Sequence, residues 1–306
     1  MTSNGTLLKD EIVEFLKEQN ISLLISLDGP QNIQDKNRRF AFNNCGTFEK
    51  IIENIENIKN KYPDFFKRIH YNAVLDQEND FNCVNNFFND FEIIKEASVM
   101  SSWITEQYSK REIQGNNQFY ETYLYEYFKY MLHEFGRIDK KYTSRLVKKD
   151  FDRLHITYRK LKPVEKLPPK AHHSGPCIPG AQRLFMNVDG DFYPCERVSE
   201  YSETMKIGNV FDGLNLKKVR KILNFGIISE DRCKNCWALR YCYLCGGVAD
   251  NLTDFIDAEK VKKCSIVKRT IENQFKDICV LKEYGYSFDN KYFDISLIKM
   301  EGMVCP

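Results

Sequence analysis

The chain has 306 residues, 42% hydrophobic and 29% charged, with 45 Lys and Arg against 43 Asp and Glu and a formal net charge of +2. This excludes a disordered tail, a collagen-like fibre and an acidic low-complexity chain. The charge balance gives no electrostatic footprint for nucleic acid.

At this length one large domain or two ordinary ones are expected, with a core of real size. Residues 6–19 place Leu7, Leu8, Ile12, Phe15 and Leu16 at helical spacing. Residues 21–27 (ISLLISL) read as a buried strand, too short to span a bilayer, and end in the turn signal Asp28-Gly29-Pro30. Ile51, Ile52, Ile55 and Ile58 predict an amphipathic helix over 48–61, stopped by Pro63. A strand follows at 69–75, a helix at 81–91 and a third strand at 99–104. Strands alternating with helices predict βα units and a mostly parallel sheet. An aromatic-rich helix is expected over 118–135, its Tyr and Phe stripe serving as core. Residues 142–170 lose the pattern and turn basic, with Pro163, Pro168 and Pro169, which predicts a solvated linker and a domain boundary near 160–170.

Beyond Lys170 the character changes. Strand-like pieces at 183–188 and 191–193 flank Asp189-Gly190, a hairpin turn. Helices are expected at 216–223 and 261–281. There is no internal repeat. The N-terminus, MTSNGTLLKDE, has no apolar signal region and no cleavage site. The expected setting is cytoplasmic, with no membrane partner.

Of the eleven cysteines, seven fall between 177 and 264. An odd count in a cytoplasmic chain argues against a disulfide framework and for metal or redox chemistry. Cys233-Lys-Asn-Cys236 is followed by Cys242-Tyr-Leu-Cys245, with Cys177 and Cys195 before them and Cys264 after. Each C-x2-C turn sets two sulfurs round one edge of a metal. Ligand count alone allows two tetrahedral zinc sites or two iron–sulfur clusters. The short gap from Trp237 to Tyr241 does not suit a zinc ribbon, whose pairs usually stand about fifteen to twenty residues apart.

These words resemble the SPASM domain of radical SAM peptide-modifying enzymes, most closely maturases of cysteine-rich clostridial peptides. The resemblance lies in GPCIPGAQRLFMNVDGDFYPCERV (175–198), MKIGNVFDG (205–213) and CKNCWALRYCYLCGG (233–247). The Cys242-x2-Cys245 spacing is one residue shorter than usual. The front half is similar to the middle of the radical SAM barrel in TSNGTLL (2–8), Ser26-Leu-Asp28-Gly29-Pro30, Asp35-Lys-Asn-Arg38 and Gly46-Thr47-Phe48. Gln34 stands where family members often have His.

The resemblance implies an α/β chain: a partial radical SAM (β/α) barrel from about the third strand onward (1–165), then a small cysteine-rich SPASM domain with two auxiliary cluster sites (166–285) and a C-terminal tail (286–306). It implies S-adenosylmethionine beside Ser26, with Arg38 facing its carboxylate and Asn72 within reach. The plain alternative for these polar residues is strand-end capping and turn chemistry. It implies two auxiliary [4Fe–4S] clusters: Cys233, Cys236, Cys242 and Cys264 on one, and Cys177, Cys195 and Cys245 on three irons of the other. A further family cysteine would fall at Ala171. The open iron would take a substrate thiolate, or His172 or His173, whose plain reading is linker. Glu196 is a candidate general base if burial tunes it. Arg183, Lys206, Lys234 and Arg240 would offset cluster charge. Cys305 reads as a free thiol.

The C-x3-C-x2-C motif that holds the radical-generating cluster does not occur in this sequence. The chain is thus expected to match the last two thirds of such an enzyme. By itself it is expected to generate no radical and to leave a sticky sheet edge near residue 1. The implied function is part of a maturase acting on a ribosomal cysteine-rich precursor peptide, with thioether formation a natural outcome and a separate chain supplying the missing barrel half. The alternative is a non-catalytic Fe–S or zinc module holding a peptide or protein partner. A Cys233/Cys236 redox dithiol is a third reading, and it would require a thioredoxin-like βαβ setting.

Overall fold

The computed structural model describes residues 1–105, 107–108, 112–161 and 177–288. Ala171, His172, His173, Cys305, the prolines of the expected linker and nearly all of the expected tail lie outside them. The chain divides into two units, Met1–Arg153 and Leu154–Pro306.

The first unit is built on four parallel strands: β1 (Thr2–Ser3), β2 (Leu23–Ser26), β3 (Ile69–Leu75) and β4 (Val99–Trp103). Their order in the sheet, β1-β2-β3-β4, is the order of the sequence. That winding belongs to a (β/α) barrel, whereas doubly wound sheets reverse direction. Helices make the crossovers: α1 (Asp10–Glu18), α2 (Gln31–Asn37), α3 (Phe48–Lys61), α4 (Pro63–Phe66) and α5 (Phe81–Asp90). Pro63 ends α3 and opens α4, where its missing N–H costs nothing. Asp80 caps α5 by accepting from the Asn82 N–H.

The strands alternate strictly. In β3, Ile69, Tyr71, Ala73 and Leu75 are buried, while His70, Asn72 and Val74 are half-buried on the opposite face. Isoleucines 51, 55 and 58 of α3 and Val13 and Leu16 of α1 are buried as well.

The aromatic helix α6 (Asn117–Glu134) packs as core. Phe119 and Tyr123 meet Phe81 edge-on, at 5.4 and 5.5 Å. The expected patternless stretch from 142 is corrected here, because Lys148–Lys160 forms a helix, α7. Its basic residues hid a buried contact: Phe151 is buried and lies 5.3 Å from Tyr130. Asp150 ties three elements together. It accepts from Tyr123, from Trp103 Nε1 at 3.3 Å and from Arg153 at 2.8 Å.

The second unit carries a four-stranded antiparallel sheet of β5 (Phe185–Met186), β6 (Asp191–Tyr193), β7 (Gly208–Asn209) and β8 (Gly213–Leu214). The expected strand at 183–188 is thus cut to two residues. The Asn187 side chain accepts from the Asp189 and Asp191 N–H groups, and Gly190 takes φ +82° to close the turn. Tyr193, Met205, Ile207, Val219, Ile222, Phe225, Ala249 and Phe255 form the core beneath. Val219 and Ile222 come from α8 (Leu216–Leu223), capped by Asn215. A short helix, α9 (Glu230–Cys233), leads into the cysteine loops. The expected helix over 261–281 is two helices, α10 (Asp257–Lys262) and α11 (Cys264–Glu283), broken at Lys263. Among the described residues, no helix is long and apolar enough to cross a membrane.

Candidate functional site

All ten described cysteines are thiols, and burial separates them. Cys45, Cys83 and Cys279 are exposed, whereas Cys177, Cys195, Cys233, Cys236, Cys242, Cys245 and Cys264 are half-buried.

The seven gather into two sets. In one, tight turns bend the chain between cysteines. The Cys236 N–H donates to the Cys233 carbonyl at 3.0 Å, Leu239 N–H to Cys236 at 3.0 Å and Cys242 N–H to Leu239 at 3.3 Å. Cys264 opens α11. An apolar cluster of Ala238, Leu244, Val267 and Ile271 holds Cys236, Cys242 and Cys264 against it. Cys233 lies near enough to raise the Cys242 and Cys264 thiols further, beyond the upward push of burial, and Cys236 acts on Cys264 likewise.

The other set is Cys177, Cys195 and Cys245. Burial pushes the Cys195 thiol up to about 11 and raises Cys177, and Cys245 adds to both. Arg183 opposes the rise at Cys177 and Cys195. Its guanidinium also donates to Glu196 Oε1 at 3.2 Å. Glu196 is 50% exposed and faces Arg197 as well, at 3.7 Å. The burial that would tune it as a base is absent, and what it does here is hold Arg183.

Two of the cations expected near the clusters are engaged elsewhere: Lys206 pairs with Asp191 and Lys234 with Asp231, each at 2.6 Å. The cation that is buried among the thiols is Lys260, which sequence reasoning missed. It is 2% exposed. Its Nζ donates to Ser229 Oγ at 2.7 Å and reaches Cys233 Sγ at 3.7 Å, and it lies 4.6 Å from the centre of the Phe225 ring. A lysine is almost never fully buried without a counter-charge. Among the described residues Lys260 has no carboxylate partner, so an anionic group at the thiols fits it. No three His, Cys, Asp or Glu side chains of the described residues converge as a single metal ion needs.

In the first unit the register places Ser26 beside Asn72, and Asn72 beside Met100, on the half-buried face of the sheet. Ser102 Oγ donates to Asn72 Oδ1 at 3.3 Å. Two expected cofactor residues thus share one face, joined by Ser102 and His70, which the sequence did not single out. Arg38 sits one loop away in a two-point pair with Asp28, Nε to Oδ2 at 2.6 Å and Nη2 to Oδ1 at 3.1 Å. Asp28 Oδ1 also accepts from the Val74 N–H at 3.0 Å. Gln34 is fully buried and clips the loop, accepting from the Asp28 N–H at 2.8 Å and donating to Thr47 at 3.3 Å.

His70 Nδ1 is buried without a hydrogen-bond partner, and burial lowers the imidazole from its ordinary value of 6.5. Below that value the unfolded chain takes up a proton that the folded one resists, so stability is lost as pH falls from 6.5 toward the lowered value. The urea midpoint of unfolding is expected to fall over that window, and less so in His70→Gln. An unchanged window in the variant would remove His70 from the account.

No family model matches the chain. It is 27% identical over 247 residues to a cysteine-type anaerobic sulfatase-maturating enzyme of Clostridium novyi (strain NT), covering 76% of this chain. The chain spans only 59% of that relative's length. The solved structure of native anSMEcpe with bound AdoMet is similar at TM-score 0.57 and 17% identity, over 93% of this chain and 74% of that one. Native anSMEcpe with bound AdoMet and Cp18Cys peptide is similar at TM-score 0.54 and 17% identity, over 90% and 75%. The chain is therefore similar in sequence to a sulfatase-maturating enzyme and shares the α/β fold of anSMEcpe.

Proposed function

We propose that the chain is the auxiliary-cluster part of a radical SAM maturase that modifies a cysteine-containing peptide segment. The observation that supports this most is the gathering of seven half-buried thiols into two sets, one of them against the buried Lys260. Cys233, Cys236, Cys242 and Cys264 ligate all four irons of one [4Fe–4S] cluster. Cys177, Cys195 and Cys245 ligate three irons of a second, leaving one open to a thiolate of the substrate or to His172 or His173. Ser26, Asn72 and Arg38 line the S-adenosylmethionine site.

S-adenosylmethionine, when bound, would supply hydrogen abstraction from the peptide. This chain orients the peptide thiolate and keeps water from it. A cysteine-rich precursor peptide and thioether formation fit that role. The relative's name and the Cp18Cys complex point equally to a short cysteine-bearing segment of a larger protein. The setting is the cytoplasm, where thiols stay reduced.

The test is iron and sulfide content after anaerobic reconstitution. About eight irons and eight sulfides per chain are expected. Cys242→Ala and Cys195→Ala should each remove about four irons, from different clusters. Zinc without sulfide would overturn this reading and leave a non-catalytic module that holds a peptide or protein.

A further inference from the structure

The two cysteine sets differ in what faces them. Cys177 and Cys195 face Arg183, whose charge is shared with the half-exposed Glu196. The other set faces Lys260, whose charge is shared with no carboxylate of the described residues. An ammonium has three N–H donors and no acceptor. Here they meet one hydroxyl, one thiol sulfur and an aromatic face.

Ser229 closes the arrangement. Its Oγ lies 2.7 Å from Lys260 Nζ and 3.3 Å from Cys233 Sγ, and it is buried. Phe225 is buried in the core under the antiparallel sheet, so the ring below the ammonium is rigid. The lysine backbone takes part too, since Cys264 Sγ donates to its carbonyl at 3.8 Å. One residue therefore touches two of the four thiols, Cys233 through its ammonium and Cys264 through its backbone carbonyl.

We propose that Lys260, held by Ser229 and Phe225, is the dedicated counter-charge of the cluster on Cys233, Cys236, Cys242 and Cys264, making that cluster easier to reduce and slower to lose iron than it would otherwise be. This rests on the proposed cluster ligation. A thiolate-ligated cluster is a net anion, and taking up an electron makes it more so. A buried cation opposes both the desolvation cost of the anion and the added cost of the electron. The N–H···S contact singles out the iron bound by Cys233 as the one most affected. Lys260 is a positioning residue in this account, acting through the ligands.

The test compares the reconstituted full chain with Lys260→Met and Lys260→Arg. Methionine keeps the apolar stem and removes the charge, whereas arginine keeps the charge. Three quantities are read: iron per chain, the rate of iron loss to a ferrous chelator, and the fraction of each cluster reduced by dithionite, followed by electron paramagnetic resonance. In Lys260→Met, about four of the irons should leave about 10–100-fold faster, as removal of an outer-shell partner does at metal sites. That same cluster should be less reduced at a given dithionite concentration. Lys260→Arg should restore both properties in large part. The other cluster, with Arg183 intact, should be unchanged and so reports that the fold is preserved.

If the wild-type chain loads its iron and Cys242→Ala removes about half of it, yet Lys260→Met matches wild type, this inference is overturned and the proposed function stands. Equal acceleration at both clusters would also overturn it, because the effect would then be general loosening. If the wild-type chain takes up no iron at that set, the proposed function fails and this inference fails with it.

Discussion

Asp28→Ala is expected to lower stability by about 3–5 kcal/mol, the usual cost of removing one partner of a buried pair. The Asp28 side chain is 10% exposed and that of Arg38 29% exposed. The substitution strands the guanidinium in its partly buried place and leaves the Val74 N–H without its acceptor. It also frees the segment from Asp28 to Arg38, α2 included, which the carboxylate pins to β3. The measurement is the urea midpoint of the first unit, read from Trp103 fluorescence. Asp28→Asn keeps one acceptor for Val74 and should recover part of the loss. If Asp28→Ala unfolds at the wild-type midpoint, the pair is a surface-type contact worth little, and Arg38 is as available to a ligand carboxylate as the family resemblance implies. The large effect would mean that Arg38 is first of all structural, and reaches a ligand only by sharing its guanidinium with Asp28.

Gly208→Ala is expected to disrupt the antiparallel sheet of the second unit. An added Cβ would lie 2.1 Å from the Gly213 carbonyl oxygen, across the β7–β8 pair, and φ at Gly208 is +149°. The obstacle is backbone, so no side chain can swing aside. β7 pairs with β6, whose Tyr193 is buried in the core two residues before Cys195. The strain should therefore reach the Cys177, Cys195 and Cys245 set. Iron content after reconstitution should drop by up to about four per chain, with loss of sheet signal in the far-ultraviolet. Gly213→Ala is the control at the same hairpin, since its Cβ meets nothing within 4 Å although φ is +77°. Equal losses in both variants would assign the effect to positive φ rather than to the close approach.

The sequence by itself determined much of the architecture. The isoleucines of α3, the alternation of β3 and the Asp189-Gly190 turn each follow from period or turn chemistry, which are local. The spacing of Cys233, Cys236, Cys242 and Cys245 pointed to a metal for the same reason: a C-x2-C turn is short-range geometry. The split of the seven cysteines into two sets was read by resemblance, whereas the packing of Cys236, Cys242 and Cys264 on one apolar cluster is seen only in the fold.

What the tertiary structure alone decided are pairings between residues far apart in the chain. Helix α7 was invisible because seven of its thirteen residues, KKDFDRLHITYRK, are Lys, Arg or Asp, and only contacts such as Phe151 with Tyr130 justify it. Asp28 and Arg38 looked like turn and ligand residues until the loop brought them together. Lys260 reads on paper as one of 45 cations on a solvated face. Burial is a property of what folds over a residue, not of the residue. Whether a charge lies in water or against a thiol is settled by long-range packing, which no local pattern carries.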